Sequence, residues 1–233
     1  MWFLELKDIV LDIFFPPLCF NCQKHLGSKD GVLCNECQSL IKLNNTLFCP
    51  VCRLRLADGR KICHHDSQYL LAAASNYDNP VIQSLIRYFK YKSFQNIAPI
   101  LGGLMCDYLK LTNLKLKNYI VVPVPLHPRK ERKRGFNQAE LLAKNVASHF
   151  NLSLVNGLIR IRNNKPQVGL KDNEDRVKNV LNCFQIKNPE AVSGKNIILV
   201  DDVFTSGATI NEAVRILKTA GAKRIIALTV AKT

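Results

Sequence analysis

Near the C-terminus an apolar run, Asn196-Ile-Ile-Leu-Val200, leads into Asp201-Asp-Val-Phe-Thr-Ser-Gly-Ala-Thr209. A strand ending at Val200 delivers Asp201 and Asp202 to a sheet rim, where carboxylates accept hydrogen bonds from vicinal sugar hydroxyls. Val203, Phe204, Thr205, Ser206, Gly207, Ala208 and Thr209 then form a turn opening a helix. Its backbone N–H groups, hydroxyls and helix N-terminus make a cradle for a phosphate dianion. Gly207 lets the backbone approach the ligand with no Cβ in the way. An ordinary capped helix explains Thr-Ser-Gly but not the paired acids, so a ribose-phosphate ligand is expected.

A second chemistry sits in the N-terminal third. Cys19-x2-Cys22, Cys34-x2-Cys37 and Cys49-x2-Cys52 are three CxxC pairs with eleven residues between neighbours, and Cys63-His64-His65 follows. No export signal accompanies them, so reduced thiols on zinc are expected rather than disulfides. One tight turn per CxxC aims two sulfurs at one tetrahedral ion. In sequential pairing Cys19, Cys22, Cys34 and Cys37 hold one zinc, and Cys49, Cys52 and Cys63 with His65 or its neighbour His64 hold a second. Spacing alone also allows a crossed pairing of the first and third CxxC. The role is structural in either case, because four ligands leave no open position. Such sites supply on the order of 10 kcal/mol to a module too small for its own core. Cys106 and Cys183 lie in apolar stretches and read as core.

These residues need elements to hold them. From Leu70 onward short apolar runs alternate with helical patterns. Leu70–Ser75, Tyr119–Val122, Leu158–Ile161, Asn196–Val200 and Arg224–Val230 read as strands. Helices are expected through Val81–Phe89, Ile97–Leu109, Ala139–Phe150 and Ala208–Thr219. That alternation describes an α/β fold, a parallel sheet flanked by helices. Ligands of such sheets sit beyond the carboxyl ends of the strands, here the segments starting at Pro123, Arg162 and Asp201. The division expected is a zinc module over residues 1–68, with an amphipathic helix at its start, and an α/β domain over 69–233. The opening helix (Phe3, Leu6, Ile9, Val10, Ile13, Phe14) is too short and too charged to span a bilayer, and the expected location is the cytoplasm.

Pro123, Val124, Pro125 and Leu126 follow a strand and suit a pyrophosphate loop. Next come Arg129, Lys130, Arg132, Lys133 and Arg134, five cations in six positions, read as a basic loop. The chain carries 33 Lys+Arg against 18 Asp+Glu, a net charge of +15. An excess of that size suggests a polyanionic partner. The cluster is therefore the candidate nucleic-acid contact. The polar stretch from Arg162 to Val180 is long for a compact domain and is expected to be functional, with Lys165 and Arg176 covering the site.

Together these pieces resemble the ComF family. The resemblance rests on Pro16-Pro17-Leu-Cys19, the CxxC module, Tyr88-Phe-Lys-Tyr91, Pro123-Val-Pro-Leu-His127, Arg134-Gly-Phe-Asn-Gln138, Gln167, Arg176 and Asn179, and Asp201–Thr209, the last resembling the 5-phosphoribosyl-1-pyrophosphate (PRPP) motif of type I phosphoribosyltransferases. It implies a cysteine zinc finger fused to a phosphoribosyltransferase-type domain, PRPP with magnesium as ligand, and association with single-stranded DNA and competence or DNA-processing proteins in natural transformation. Purine-salvage members of the wider fold carry an acid where Thr205 stands, which disfavours a 6-oxopurine acceptor and is closer to an orotate-type pattern. Two functions follow: a DNA-transaction protein that senses PRPP or a nucleic-acid phosphate, or an active phosphoribosyltransferase with an unknown acceptor.

Overall fold

The computed structural model describes residues 16–26, 31–56, 64, 67–91, 94–163 and 179–233. The opening amphipathic helix, Cys63, His65, Lys165, Gln167 and Arg176 lie outside the described residues.

Five parallel strands form the main sheet. In chain order they are β1 (Leu70–Asn76), β2 (Tyr119–Pro123), β3 (Ser153–Leu154), β6 (Asn196–Phe204) and β7 (Ile225–Lys232), arranged β1-β7-β6-β2-β3. Val121 pairs with Ile198, Val200 with Leu228, and Ala72 with Leu228 from the other side. Alternate residues of β6 serve two cores: Ile198 and Val200 pack on one face, Ile197 and Leu199 on the other. Burial on both faces is why these strands are almost continuously apolar.

One face is covered by α2 (Pro80–Tyr91), α3 (Ala98–Leu111) and α5 (Gln138–Phe150), which bury Leu85, Phe89, Leu101, Met105, Leu142 and Val146. The other carries α7 (Ala208–Thr219) and the short α6 (Pro189–Val192). Against α7 stands a separate antiparallel pair, β4 (Leu158–Arg160) and β5 (Phe184–Ile186), with Arg160 opposite Phe184. Leu158–Ile161 is thus a strand as expected but not a member of the parallel sheet. The basic segment is also not a loop. It folds as α4 (Pro128–Arg134), with the His127 ring accepting from the Arg129 N–H, Pro128 in the first turn and Gly135 at φ +82° as the stop.

The zinc module is built from a repeat. Residues 17–26 and 47–56 make the same turn: Gln23 N–H donates to Cys19 O, and Arg53 N–H to Cys49 O. Cys19 N–H reaches Lys24 O as Cys49 N–H reaches Leu54 O, and both Gln23 (φ 62°) and Arg53 (φ 64°) are left-handed. A five-residue helix, α1 (Asn35–Ser39), carries Cys37. The module is tied to the sheet edge, where Phe48 and Leu71 of β1 exchange two backbone hydrogen bonds. No helix among the described residues is long and apolar enough to cross a membrane.

Candidate phosphate and ribose site with a structural metal centre

Asp201 and Asp202 do not follow the strand but lie within it, because β6 keeps pairing with β7 as far as Phe204 opposite Lys232. The extra length carries the carboxylates toward the carboxyl rim. Val124 N–H bonds to Val200 O, so the segment leaving β2 is held beside them. Asp202 is nearly buried, and its carboxylate lies 2.6 Å from the Lys90 ammonium at the end of α2. Burial works against the Lys90 charge, but Asp202 outweighs it and holds the ammonium above its ordinary range. Two acids share this one cation. Burial, then the neighbouring Asp202 charge, push the Asp201 carboxyl up to about 7, against the pull of Lys90 and of the Asp202 N–H that donates to it at 2.8 Å.

The turn after β6 has one residue that its geometry dictates. Gly207 sits at φ +80°, and a Cβ there meets Phe204 Cζ at 2.7 Å. Phe204 itself points into the core, and Ala208 is buried. Thr205, Thr209 and Val203 line a hollow of about 760 Å³, together with Asp201, Asp202 and Lys90. Val124, Pro125 and Leu126 line it from β2, whereas Pro123 is buried in the strand. Ser206 opens instead onto a separate hollow of about 460 Å³ beside Tyr69, Asn211 and Arg215; its Oγ accepts from Ala208 N–H at 3.4 Å.

Four of the five clustered cations, Arg129, Lys130, Lys133 and Arg134, line the same 760 Å³ hollow; Arg132 is exposed outside it. The segment Arg134–Gln138 explains how. Asn137 caps α5 through Ala139 N–H while its amide donates to Val124 O at 3.1 Å, joining helix to loop. Gln138 donates to Phe89 O and accepts from Arg134 at 2.9 Å, and Phe136 packs on Phe89 with ring centroids 5.4 Å apart. This clamp aligns α4, the loop after β2 and the end of α2 that holds Lys90. The basic wall pulls His127 below its ordinary value, through burial first and then Arg129, Arg160, Lys130 and Arg132.

Lys90 and Arg160 are the two cations of the wall that sequence reasoning did not single out for the site. The signal for Lys90 was its place in Tyr88-Phe-Lys-Tyr91, a charged residue inside an otherwise aromatic run.

In the zinc module the ligand atoms of Cys19, Cys22, Cys34 and Cys37 lie within 4.8 Å of one another, which is the sequential pairing. Cys37 N–H points at Cys34 Sγ at 3.4 Å and the Asn21 amide at Cys37 Sγ at 3.3 Å, donors that favour thiolates. Burial opposes ionisation of Cys19, but N–H groups of Cys22, Cys34 and Asn21 outweigh it and bring the thiol down to about 6, whereas Cys37, against its Asn21 donor, is pushed up to about 12 by burial and by the Cys22, Cys34 and Cys19 sulfurs. Four converging sulfurs, none in a disulfide, fit a structural zinc ion. Cys49, Cys52 and His64 form the second cluster, with Cys49 Sγ 3.5 Å from His64 Nδ1.

The family described as "Double zinc ribbon domain" matches residues 10–66, and "Phosphoribosyl transferase domain" matches residues 137–233. "Competence protein ComFC" of Bacillus subtilis is 31% identical over 207 residues, 86% of this chain and 77% of its own length. "DNA utilization protein YhgH" of Salmonella typhimurium is 30% identical over 90% of this chain and 94% of its own. "Competence protein F" of Haemophilus influenzae is 29% identical over 91% and 95%. At those identities, over most of both chains, the chain belongs to the ComF family.

Proposed function

We propose that the protein binds PRPP with magnesium in the hollow above Asp201 and Asp202, and works in DNA uptake, contacting single-stranded DNA through α4. The observation that carries this reading is convergence. An acid pair, Thr205 and Thr209 of the turn that opens α7, and a basic wall meet in one hollow of about 760 Å³. The turn from Thr205 to Thr209 takes the 5-phosphate, Asp201 and Asp202 the ribose hydroxyls, and the Val124–Leu126 loop, with Lys133 beside it, the pyrophosphate. Lys165 and Arg176 cover the bound ligand from the segment before Asn179. Residues 1–68 serve as the metal-held module and 69–233 as the ligand-binding domain. The DNA role draws on the printed names of the relatives and on a net charge of +15, and competence or DNA-processing proteins in the cytoplasm are the partners expected.

A second reading is favoured by the Asp201 carboxyl titrating at about 7, since a group that holds or releases a proton near neutrality suits chemistry as well as binding. In it the protein is an active phosphoribosyltransferase whose acceptor is not a 6-oxopurine. PRPP consumption with a panel of amines and bases separates the two.

The binding test is calorimetry with PRPP and magnesium on wild type and on Asp201→Asn/Asp202→Asn. The double variant keeps its circular dichroism spectrum and loses the binding heat. Unchanged affinity would reduce the motif to a structural turn.

A further inference from the structure

Arg160 has no place in the cradle just described, yet it faces the same hollow. It ends β4, and its guanidinium carbon lies 5.3 Å from the centre of the Phe184 ring, its partner across the β4–β5 ladder. That cation–π contact holds the guanidinium over the ring. The Arg160 Nε is buried without a hydrogen-bond partner, and among the described residues Arg160 has no ion pair. Lys130, reaching in from α4, has none either.

These two cations repel one another. Burial first, then Arg160 and Arg134, lower Lys130 below its ordinary value. On the far side Arg160 favours the ionised form of Asp201, so its charge reaches the ribose end of the hollow. Holding like charges together in a half-buried wall, one of them with an unmatched buried donor, is unfavourable. An anion placed between them removes both costs. A planar guanidinium offers a carboxylate or phosphate two parallel hydrogen bonds, while the lysine adds a point charge.

We propose that Arg160 and Lys130 form a third anion subsite, which takes the carboxylate or phosphate of a second small ligand bound beside the ribose-phosphate. The subsite rests on the PRPP reading above and narrows it: a second ligand with an anionic substituent is selected over its neutral counterpart.

The test is calorimetry on the full-length protein saturated with PRPP and magnesium. Three probes are titrated: orotate, uracil (the same ring without the carboxylate) and inorganic phosphate. Wild type binds at least one of the two anions, and each anion it binds does so about tenfold or more tighter than uracil, the loss expected for an unmatched charge-assisted pair. Whether orotate or phosphate is taken up tells a carboxylate from a phosphate source. Arg160→Met weakens the anions about tenfold while PRPP affinity stays within about twofold, and Arg160→Lys restores part of the loss. Lys130→Met repeats the anion loss without touching the Phe184 stack. The proposal is overturned if loaded wild type takes up neither anion, if Arg160→Met binds them as wild type does, or if Arg160→Met loses PRPP itself. Should wild type fail to bind PRPP, the ribose-phosphate reading fails separately, and phosphate titration of the free protein against Arg160→Met still decides the subsite.

Discussion

Replacing Asp201 by Asn should stabilise the ligand-free protein, and by more at pH 8 than at pH 5.5. The half-buried Asp201 and the buried Asp202 sit beside the ammonium of Lys90, which pairs with Asp202, so the second carboxylate has no ion pair of its own among the described residues. Asn keeps the shape and the acceptor for Asp202 N–H, and it leaves Lys90 and Asp202 as a balanced pair. The sign follows from the direction of the shift. The folded carboxyl titrates at about 7, above its ordinary 3.8, so between those values the folded state holds a proton that the unfolded chain has lost. Wild-type stability therefore falls as pH rises through that window and levels off above 7. From pH 5.5 to 7 the loss is about 2 kcal/mol, at ~1.4 kcal/mol per pH unit. For a chain of this size that is a change of about 4–8 °C in the Tm difference between variant and wild type. Thermal unfolding of zinc-loaded protein, followed by circular dichroism at the two pH values without PRPP, measures it. A Tm difference that does not change with pH, or a variant less stable than wild type at pH 8, refutes the reasoning. If Asp201 holds the ribose as proposed, the same substitution weakens PRPP binding, so stability and binding should move in opposite directions, as they do where a site stores unfavourable charge.

Three further outcomes are expected. Metal analysis should find one to two equivalents of zinc per chain, and stripping it should unfold the ribbons and weaken PRPP binding; folded protein without zinc would contradict this. Gly207→Ala should cost about 1–2 kcal/mol from its left-handed φ alone and more from the displaced Phe204 ring, read as a lower Tm together with weaker PRPP binding. Single-stranded DNA affinity should fall with salt at a log–log slope near −0.7 per neutralised phosphate, and Ser at Arg129, Lys130, Arg132, Lys133 and Arg134 should flatten it by roughly two to three units. Binding with an unchanged slope would move the contact surface elsewhere, and no binding at low salt would remove DNA from the function.

Much of this was legible because it is local. Apolar runs bounded by turn residues announced β1, β2, β6 and β7, and periodicity announced α2, α3, α5 and α7 within a few residues. The misread segments are those where tertiary context decides. Asp201-Asp-Val-Phe204 looks like a rim loop because two acids interrupt the apolar pattern, but pairing with β7 carries the strand through them. Pro128–Arg134 has no apolar residue after its proline and so no periodicity; its helix shows only in its ends, His127 and Pro128 before and Gly135 after. Leu158–Arg160 has the composition of a parallel strand, and nothing local says that its partner is Phe184–Ile186. The histidine of the second metal cluster had a usable signal. Cys19 and Cys22 recur thirty residues on as Cys49 and Cys52, and the same offset carries Cys34 to His64 rather than to His65.

Lys90 belongs to none of these classes, since its partner is far away in sequence and it is placed by the zinc module as much as by its own helix. Phe20, inside the first CxxC, stacks on Tyr88 of α2 with centroids 4.6 Å apart, and Phe94 packs on both. Asn21, the next residue, donates its amide to Cys37 Sγ and accepts from Ser84 of α2 at 3.2 Å. A metal that fixes Cys19, Cys22, Cys34 and Cys37 thereby fixes Phe20 and Asn21, and through them two positions on one face of α2. The last turn of the helix carries Lys90, whose ammonium balances Asp202. Losing the metal frees the ribbon end of that chain, lets α2 shift and separates a nearly buried ion pair, a change that costs about 3–5 kcal/mol when one partner is removed outright. The module therefore does more than sit beside the candidate site: it helps to set the position of the ammonium that pairs with Asp202.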